Sequence, residues 1–252
     1  MNILLCNDDG YRAPGLERLF HALKQLDDVQ VEVIAPEHNN SAKSNSLTLH
    51  APLYVREVEP HRRYVTGTPA DCIHIALTGL LDYRPDLLVS GINNGANMGD
   101  DTLYSGTIGA ATEGYLFGID AIAFSQVERG WAELDAAVTA AVDIVQRLRG
   151  EIRGAHSPWL HSVNIPNLPL DRLKPLRVCR LGRRHCAGQV FRQENPLGET
   201  MYWIGLAGSA ADAGEGTDFH AVDHGHIALT PLGVDLTDHR ALDVWRDWSD
   251  RA

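Results

Sequence analysis

The sequence predicts an α/β fold: a doubly wound, mainly parallel sheet with helices on both faces and a C-terminal hairpin or arm. Short continuous apolar runs, typical of parallel strands buried on both faces, alternate with segments whose apolar residues recur every three or four positions, as in helices. Beyond residue 166 this alternation weakens. We therefore expect a single domain over residues 1–252, with a core over about 1–166 and an extension over about 167–252.

The chain begins with a strand–helix–strand unit. Residues 2–6 form an apolar run that ends at the turn Asn7-Asp8-Asp9-Gly10, and Pro14-Gly15 then precede apolar residues spaced as on one helix face. Residues 29–35 predict the second strand, and a polar loop over 36–45 follows it.

In the middle of the chain, two strands outside the parallel core are predicted first, and the alternation of strands and helices then continues. Residues 47–49 and 53–58 alternate between apolar and polar side chains and predict strands of a hairpin or arm outside the parallel core. Thr68-Pro69-Ala70-Asp71 predicts a helix start, because Thr68 can cap and proline suits the first turn. The elements expected next are a strand over 86–91, a helix from 105–107 through Tyr115, a strand over 121–125 and a helix over 134–148.

The extension carries weaker patterns. Residues 196–216 are rich in Gly and Ala around an apolar stretch at 201–204, which predicts a hairpin arm that contacts another subunit, and a last helix is expected near 238–248. His220, His224 and His226 alternate along a predicted strand. Nothing near them completes a metal site, so we expect packing or surface roles.

Composition and charge exclude several classes of protein. The formal net charge of -11 argues against a general nucleic-acid binder. No segment reaches the ~18 uninterrupted apolar residues that a membrane helix needs, and the N-terminus lacks the basic and apolar regions of a signal peptide, so we expect a cytoplasmic protein that does not bind membranes. Cys6, Cys72, Cys179 and Cys186 form no CxxC pair, so we expect reduced structural thiols.

Oxygen-bearing side chains follow three of the predicted strands. In an open parallel sheet ligands bind beyond the carboxyl ends of the strands, where these loops carry Asp8 and Asp9, then Ser41, then Asn93 and Asn97. Such ligands match Mg²⁺ or Mn²⁺. Taken alone, Asp8-Asp9-Gly10 favours a simple turn that leads into a helix. At a strand end, however, two carboxylates 4 Å apart repel by ~4 kcal/mol at an effective dielectric near 20 unless a cation lies between them.

A phosphate site is indicated next to this pair. Glycines at 91, 95, 99, 106 and 109 let backbone N–H groups approach an anion, and Ser105-Gly106-Thr107 lies where a helix N-terminus would point at a phosphate. A flexible loop followed by a well-capped helix is the alternative, and these residues alone do not decide between the two.

Five ordered motifs resemble those of the SurE family, the survival-protein nucleotidases. They are Asn7–Gly10 with Ala13-Pro14-Gly15, Ser41–Ser46, Gly67–Cys72, Ser90–Asn97 and Tyr104–Thr107, and the similarity continues through Asp218–Pro231. The resemblance implies a Rossmann-like core and a phosphomonoesterase that hydrolyses nucleoside 5′-monophosphates, often also 3′-nucleotides and sometimes short polyphosphate. It also implies one divalent metal ion per subunit and a homodimer or homotetramer.

The resemblance also implies roles for individual residues. Asp8, Asp9, Ser41 and Asn93 resemble the family's metal ligands, and Asn97, Ser105, Gly106 and Thr107 resemble its phosphate-facing residues. Two positions depart from the family pattern. Many members have an arginine where this chain has Asn40 and a proline where it has Ala96. The first departure removes local positive charge and so affects substrate preference, although Lys43 can partly replace it.

The expected mechanism has the cation bind the phosphoryl group, activate a water and offset charge in the transition state, with Asp8 or Asp9 orienting or deprotonating that water. Attack by a carboxylate to give an aspartyl-phosphate is the alternative route. A noncatalytic nucleotide-binding protein is the alternative function. The chain lacks the GxGxxG, P-loop and Asp-x-Asp motifs and the Asp and Lys of phospho-accepting receivers, which argues against those classes.

Overall fold

A computed structural model describes residues 1–151, 157–184, 189–205 and 208–251 of the chain. Its strands are β1 (Asn2–Cys6), β2 (Gln30–Pro36), β3 (Val55–Glu59), β4 (Arg62–Val65), β5 (Leu87–Asn94), β6 (Asp120–Gln126), β7 (Leu160–Ile165), β8 (Lys174–Val178), β9 (Arg183–Arg184), β10 (Phe191–Glu194), β11 (Thr200–Trp203), β12 (Ala210–Asp212) and β13 (His226–Leu232). Its α-helices are α1 (Pro14–Leu23), α2 (Pro69–Ile75), α3 (Gly106–Leu116), α4 (Leu134–Leu148), α5 (Asp218–Asp223) and α6 (Leu242–Ser249). A π-helical turn (Ala76–Leu80) continues α2, and 3₁₀ turns lie at Gly99–Leu103 and Leu170–Arg172.

Nine strands form one central sheet in the order β3-β4-β2-β1-β5-β6-β7-β13-β8. All neighbouring pairs are parallel except β3 with β4 and β7 with β13. Alternate residues of β1 enter different cores: Ile3 and Leu5 pack with α1 and α4, whereas Leu4 and Cys6 pack with α2 and α3. Helices therefore cover both faces, and the predicted doubly wound α/β fold is confirmed.

The start of α2 forms the cap that the sequence predicts. The Asp71 N–H donates to Thr68 Oγ1 (3.1 Å) and the Thr68 N–H donates to Asp71 Oδ2 (2.9 Å), which is a reciprocal capping box. Asp71 also accepts hydrogen bonds from the Thr48 N–H (2.8 Å) and hydroxyl (2.7 Å). The Asp71 carboxylate therefore has a structural role, because it joins the segment at Thr48 to the start of α2.

The strand predicted over residues 47–49 is wrong, and the same Asp71 bonds give the reason. They fix this segment against the start of α2, where no strand neighbours it. The strand predicted over 53–58 is β3, and its hairpin partner is β4. Because β4 also pairs in parallel with β2, the hairpin forms one edge of the central sheet and not a separate arm.

The extension contributes to the sheet as well. Strand β13 returns antiparallel beside β7, and β8 then adds in parallel to β13. The hairpin in the predicted arm region is β10 with β11, and β9 pairs with β12. In the described part of the chain, no helix has the length and apolar character needed to cross a membrane.

The strand predicted through the three histidines is also wrong in part. His220 lies in α5, because Thr217 Oγ1 accepts the His220 N–H (3.1 Å) and starts a helix, and His224 follows its end. Only His226 lies in a strand. Cys6, Cys72 and Cys179 are buried free thiols, as expected. Cys186 and His185 lie outside the described residues.

Candidate active site

The predicted ligand loops meet at the carboxyl ends of three adjacent strands. Strand β1 lies between β2 and β5, with Leu5 beside Val33 and Cys6 beside Ser90. Parallel strands in register end at the same edge, so the loops after β1 and β2 and the last residues of β5 are brought together.

Asp8 is a buried carboxylate held against the N-terminus of α3. Its Oδ1 accepts a short hydrogen bond from the Thr107 hydroxyl, and its main-chain oxygen accepts the Asn40 N–H (2.7 Å). Burial raises the pKa of Asp8 to about 6, the Thr107 hydrogen bond opposes this rise and the neighbouring Asp9 adds to it. The charged form is therefore destabilised by its surroundings unless a cation compensates it.

Gly106 allows this close approach. A Cβ at Gly106 would lie 2.8 Å from Asp8 Cβ, 3.1 Å from Pro69 Cγ and 3.2 Å from Asp8 Oδ2. A side chain at this position would therefore push α3 and Asp8 apart.

Asp9 joins the three loops. Its Oδ2 accepts the Asn94 N–H (3.0 Å) at the end of β5, and its Oδ1 accepts the Asn39 side-chain amide (3.3 Å) from the loop after β2. Burial raises the pKa of Asp9, whereas the Asn94 hydrogen bond and the charge of Arg129 lower it. Asp9 is therefore fixed beside Asp8 by a backbone N–H at the end of β5 and by a side-chain amide from the loop after β2.

Ser41 and Asn93 lie on the neighbouring loops. The exposed Ser41 is positioned by its N–H, which donates to Asn39 Oδ1 (2.8 Å), so Asn39 links it to Asp9. Asn93 donates its side-chain amide to the Gly95 carbonyl (2.8 Å), which leaves its oxygen as the ligand-type atom. Among the described residues, no hydrogen bond joins either side chain to Asp8 or Asp9.

The residues predicted to face phosphate have two different settings. Ser105 caps α3, with its Oγ accepting the Ile108 N–H (3.1 Å), and the Thr107 hydroxyl is engaged by Asp8. The first N–H groups of a helix have no intrahelical partner, so Gly106 and Thr107 present backbone donors and a positive dipole end beside Asp8. An anion is best bound here by main-chain groups.

Asn97 lies one strand further along the same edge. Its side-chain amide donates to Ser125 Oγ (2.8 Å), its N–H donates to Asn164 Oδ1 (2.9 Å), and the Asn164 amide donates back to its carbonyl (3.0 Å). These bonds lock the residue to the ends of β6 and β7. No local pattern predicts the role of Asn164, because that role depends on how β7 is placed.

The segment between Asn97 and Ser105 is held by the extension. Asp218 is fully buried, and its carboxylate accepts the N–H groups of Gly99 (2.8 Å), Gly182 (2.8 Å) and Phe219 (2.9 Å). Asp100 Oδ2 accepts the Arg184 N–H (2.9 Å). The approach to α3 is therefore clamped by residues far away in the chain.

The donor set fits a hard divalent cation. No group of three or more His, Cys, Asp and Glu side chains in the described ranges is arranged to hold a metal ion, so a cation would depend on two carboxylates and on neutral oxygens. Two adjacent carboxylates whose pKa values are raised by burial gain most from such a counter-charge. Asn39, Asn94 and Arg129 belong to this setting, although the sequence did not single them out.

Comparisons with known proteins agree on one family. The family model described as "Survival protein SurE" matches residues 3–188. The "5'-nucleotidase SurE" of Variovorax paradoxus is 65% identical over 98% of this chain and 97% of its own length, and that of Albidiferax ferrireducens is 63% identical over 97% and 96%. The crystal structure of the SurE protein from Aquifex aeolicus superposes with a TM-score of 0.86 at 39% identity, covering 99% of this chain and all of that one.

Proposed function

This chain belongs to the SurE family and is a 5′-nucleotidase, and we propose that it hydrolyses nucleoside 5′-monophosphates with one divalent metal ion per subunit, Mg²⁺ or Mn²⁺. We extend the proposal to 3′-nucleotides and short polyphosphate as further substrates. One observation carries it at the site: the buried Asp8 carboxylate lies directly against the N-terminus of α3. Cation ligands and anion donors are thereby placed side by side, as a metal-bound phosphate requires.

The proposed metal ligands are the four oxygen donors Asp8, Asp9, Ser41 and Asn93. When bound, the metal supplies Lewis-acid stabilisation of charge on the phosphoryl group and activation of water.

Residues of the protein bind the phosphate and orient the attacking water. The N–H groups of Gly106 and Thr107 donate to phosphoryl oxygens, and Ser105 fixes their direction through its cap. We assign Asn97 to the phosphate-facing residues as well, because the resemblance implies that role. Asp9, which is less buried than Asp8, orients the attacking water, and direct attack by a carboxylate is the alternative route.

A cavity lined by Met98, the residue after Asn97, offers room for the nucleoside. It has a volume of about 650 Å³ at the ends of β6 and β7 and is lined by Met98, Leu168, His220 and Asn167 among others. Met98 follows Asn97 directly. Apolar walls with a few polar groups suit a base and a ribose, so we propose that the nucleoside lies there.

We also propose a cytoplasmic protein of one domain over 1–252 that acts as a homodimer or homotetramer, with the core over about 1–166 and the arm over about 167–252. Large exposed apolar side chains support the subunit contact, because they form patches on the β10–β11 hairpin and on α6. They are Phe191, Tyr202, Trp203, Val244, Trp245 and Trp248.

The test is phosphate release by chelator-treated protein from a panel of 5′- and 3′-nucleoside monophosphates, with and without Mn²⁺ or Mg²⁺. Asp9→Asn is the test variant, and Asp135→Asn, an exposed carboxylate paired with Arg18, is the matched control. We expect metal-restored release in wild type and control that Asp9→Asn abolishes. Folded wild-type protein that releases nothing with either metal would refute the proposal and leave a nucleotide-binding protein.

A further inference from the structure

The loop after β6, residues 127–131, is folded back over the active site. The Gly130 N–H donates to Asn94 Oδ1 (3.0 Å), and Asn94 in turn donates its N–H to Asp9. Trp131 lies against Gly15, where an added Cβ would be 2.6 Å from the indole ring. The residues on one side of Arg129 are therefore fixed to the site at two points.

Arg129 itself passes the end of β5 beside these contacts. A Cβ built at Gly95 would lie 3.7 Å from Arg129 Cγ and 3.9 Å from its Nε, which are ordinary van der Waals distances, so the Arg129 side chain lies directly over Gly95. The charge of Arg129 acts on Asp9 and lowers the pKa of that carboxyl. Across the described ranges of the chain, the Arg129 side chain makes neither an ion pair nor a hydrogen bond.

An exposed guanidinium that lies over Gly95 and acts on Asp9, without an ion pair to that carboxylate, is available to a ligand. The ligand class follows from charge. A nucleotide phosphate must enter a site that contains Asp8 and Asp9, in a chain of net charge -11. Next to Asp8, the loop after β2 places the neutral Asn40, whose N–H donates to the Asp8 main-chain oxygen, so this position adds no positive charge. The guanidinium fork matches phosphate oxygens geometrically.

We propose that Arg129 is a substrate-binding residue that donates hydrogen bonds to the phosphate group of the nucleotide. This inference rests on the proposed function, because it needs a phosphomonoester at the site. Arg129 adds positive charge to the site from the β6 loop. It acts on phosphate binding and leaves the base to the neighbouring cavity.

Steady-state kinetics of Arg129→Ala and Arg129→Lys at saturating Mn²⁺ test this role, with inorganic phosphate as a competitive inhibitor. Arg147→Ala is the matched control, because it removes another exposed arginine charge, at the end of α4. A charge-assisted hydrogen bond predicts that Arg129→Ala raises KM and the phosphate inhibition constant together by roughly tenfold or more. Arg129→Lys should fall between this variant and wild type, and the control should not change.

Three results would overturn the inference. The first is an Arg129→Ala variant with unchanged KM and inhibition constant. The second is a change only in the Mn²⁺ concentration for half-maximal activity, which would place the effect on the metal through Asp9. The third is a lower Tm and kcat with both phosphate constants unchanged, which would indicate a structural role.

The proposed function can fail separately, since wild type would then release no phosphate with either metal. In that case, titration of wild type and Arg129→Ala with inorganic phosphate in a calorimeter still decides the matter. Weaker phosphate binding by the variant would support the inference, and equal binding would overturn it.

Discussion

Gly106→Ala separates catalysis from stability at the contact between α3 and Asp8. The added Cβ would lie 2.8 Å from Asp8 Cβ and 3.1 Å from Pro69 Cγ, whereas carbon atoms in ordinary contact are about 3.5–4.0 Å apart. Asp8 or α3 must therefore move by about 1 Å. A displacement of that size at a reacting centre costs about 10²-fold in rate, so we expect kcat to fall by that factor. Overpacking lowers the free energy of unfolding by about 1–3 kcal/mol, and the higher helix propensity of alanine offsets up to about 1 kcal/mol of this loss.

Gly114→Ala is the matched control in the same helix. A Cβ at Gly114 would lie 2.5 Å from Leu88 Cδ1 in the core. Gly114 lies about two turns along α3 from Gly106, away from the helix end that contacts Asp8. We expect a comparable or larger loss of stability, measured by urea unfolding, with kcat within about twofold of wild type because no proposed ligand moves. Phosphate release at saturating Mn²⁺ compares the two. Wild-type kcat in Gly106→Ala, or an equal loss in Gly114→Ala, would refute the reasoning.

Three further predictions concern stability. Mn²⁺ at roughly 100 times its Kd should raise the free energy of unfolding of wild type by about 2.7 kcal/mol, and that of Asp9→Asn far less, as calorimetry would measure. Asp218→Asn should lower the free energy of unfolding by about 2–4 kcal/mol in urea, because an amide replaces a buried acceptor of three N–H groups, whereas the exposed neighbour Asp223→Asn should have little effect. Burial holds the pKa of His161 below its ordinary value of 6.5. As the pH falls through this region, His161 is therefore protonated in the unfolded chain before it is protonated in the folded chain. His161 alone therefore lowers stability as the pH falls, whereas the raised pKa of Asp8, about 6, adds stability in the same window. Unfolding in urea at about pH 7.5 and about pH 5.5 should show the free energy of unfolding of His161→Gln rising relative to that of wild type as the pH falls.

The parallel core was predictable because its signals are local. Each central strand is buried on both faces and reads as an apolar run, and the rule for parallel sheets then places Asp8, Asp9 and the end of β5 together. The capping box at Thr68 is equally local. Local sequence does not show which oxygen atoms become ligands. Only the resemblance to a family gives Asn93 the role of a metal ligand and Asn97 that of a phosphate-facing residue.

The errors have physical reasons. Residues 47–49 have a strand-like pattern, but their hydrogen bonds go to Asp71, a contact that no pattern of alternation reveals. The spacing of the three histidines predicts a strand, but Thr217 caps a helix that contains His220. Arg129 lies in an exposed loop without any motif, and its position near Asp9 depends on the bond between Gly130 and Asn94.

The extension shapes the active site as well as the sheet. The N-terminus of α3 can bind phosphate only if Ser105 to Thr107 stay fixed relative to Asp8, and the preceding segment has two anchors. Asn97 is bonded to the core at Ser125 and Asn164, and Gly99 is bonded to the buried carboxylate of Asp218, which also holds Gly182. Since Asp218 follows Gly99 by 119 positions, phosphate geometry depends on the completed fold. A local motif can therefore identify the phosphate-facing residues, but their placement is set by the part of the chain whose sequence pattern is weakest.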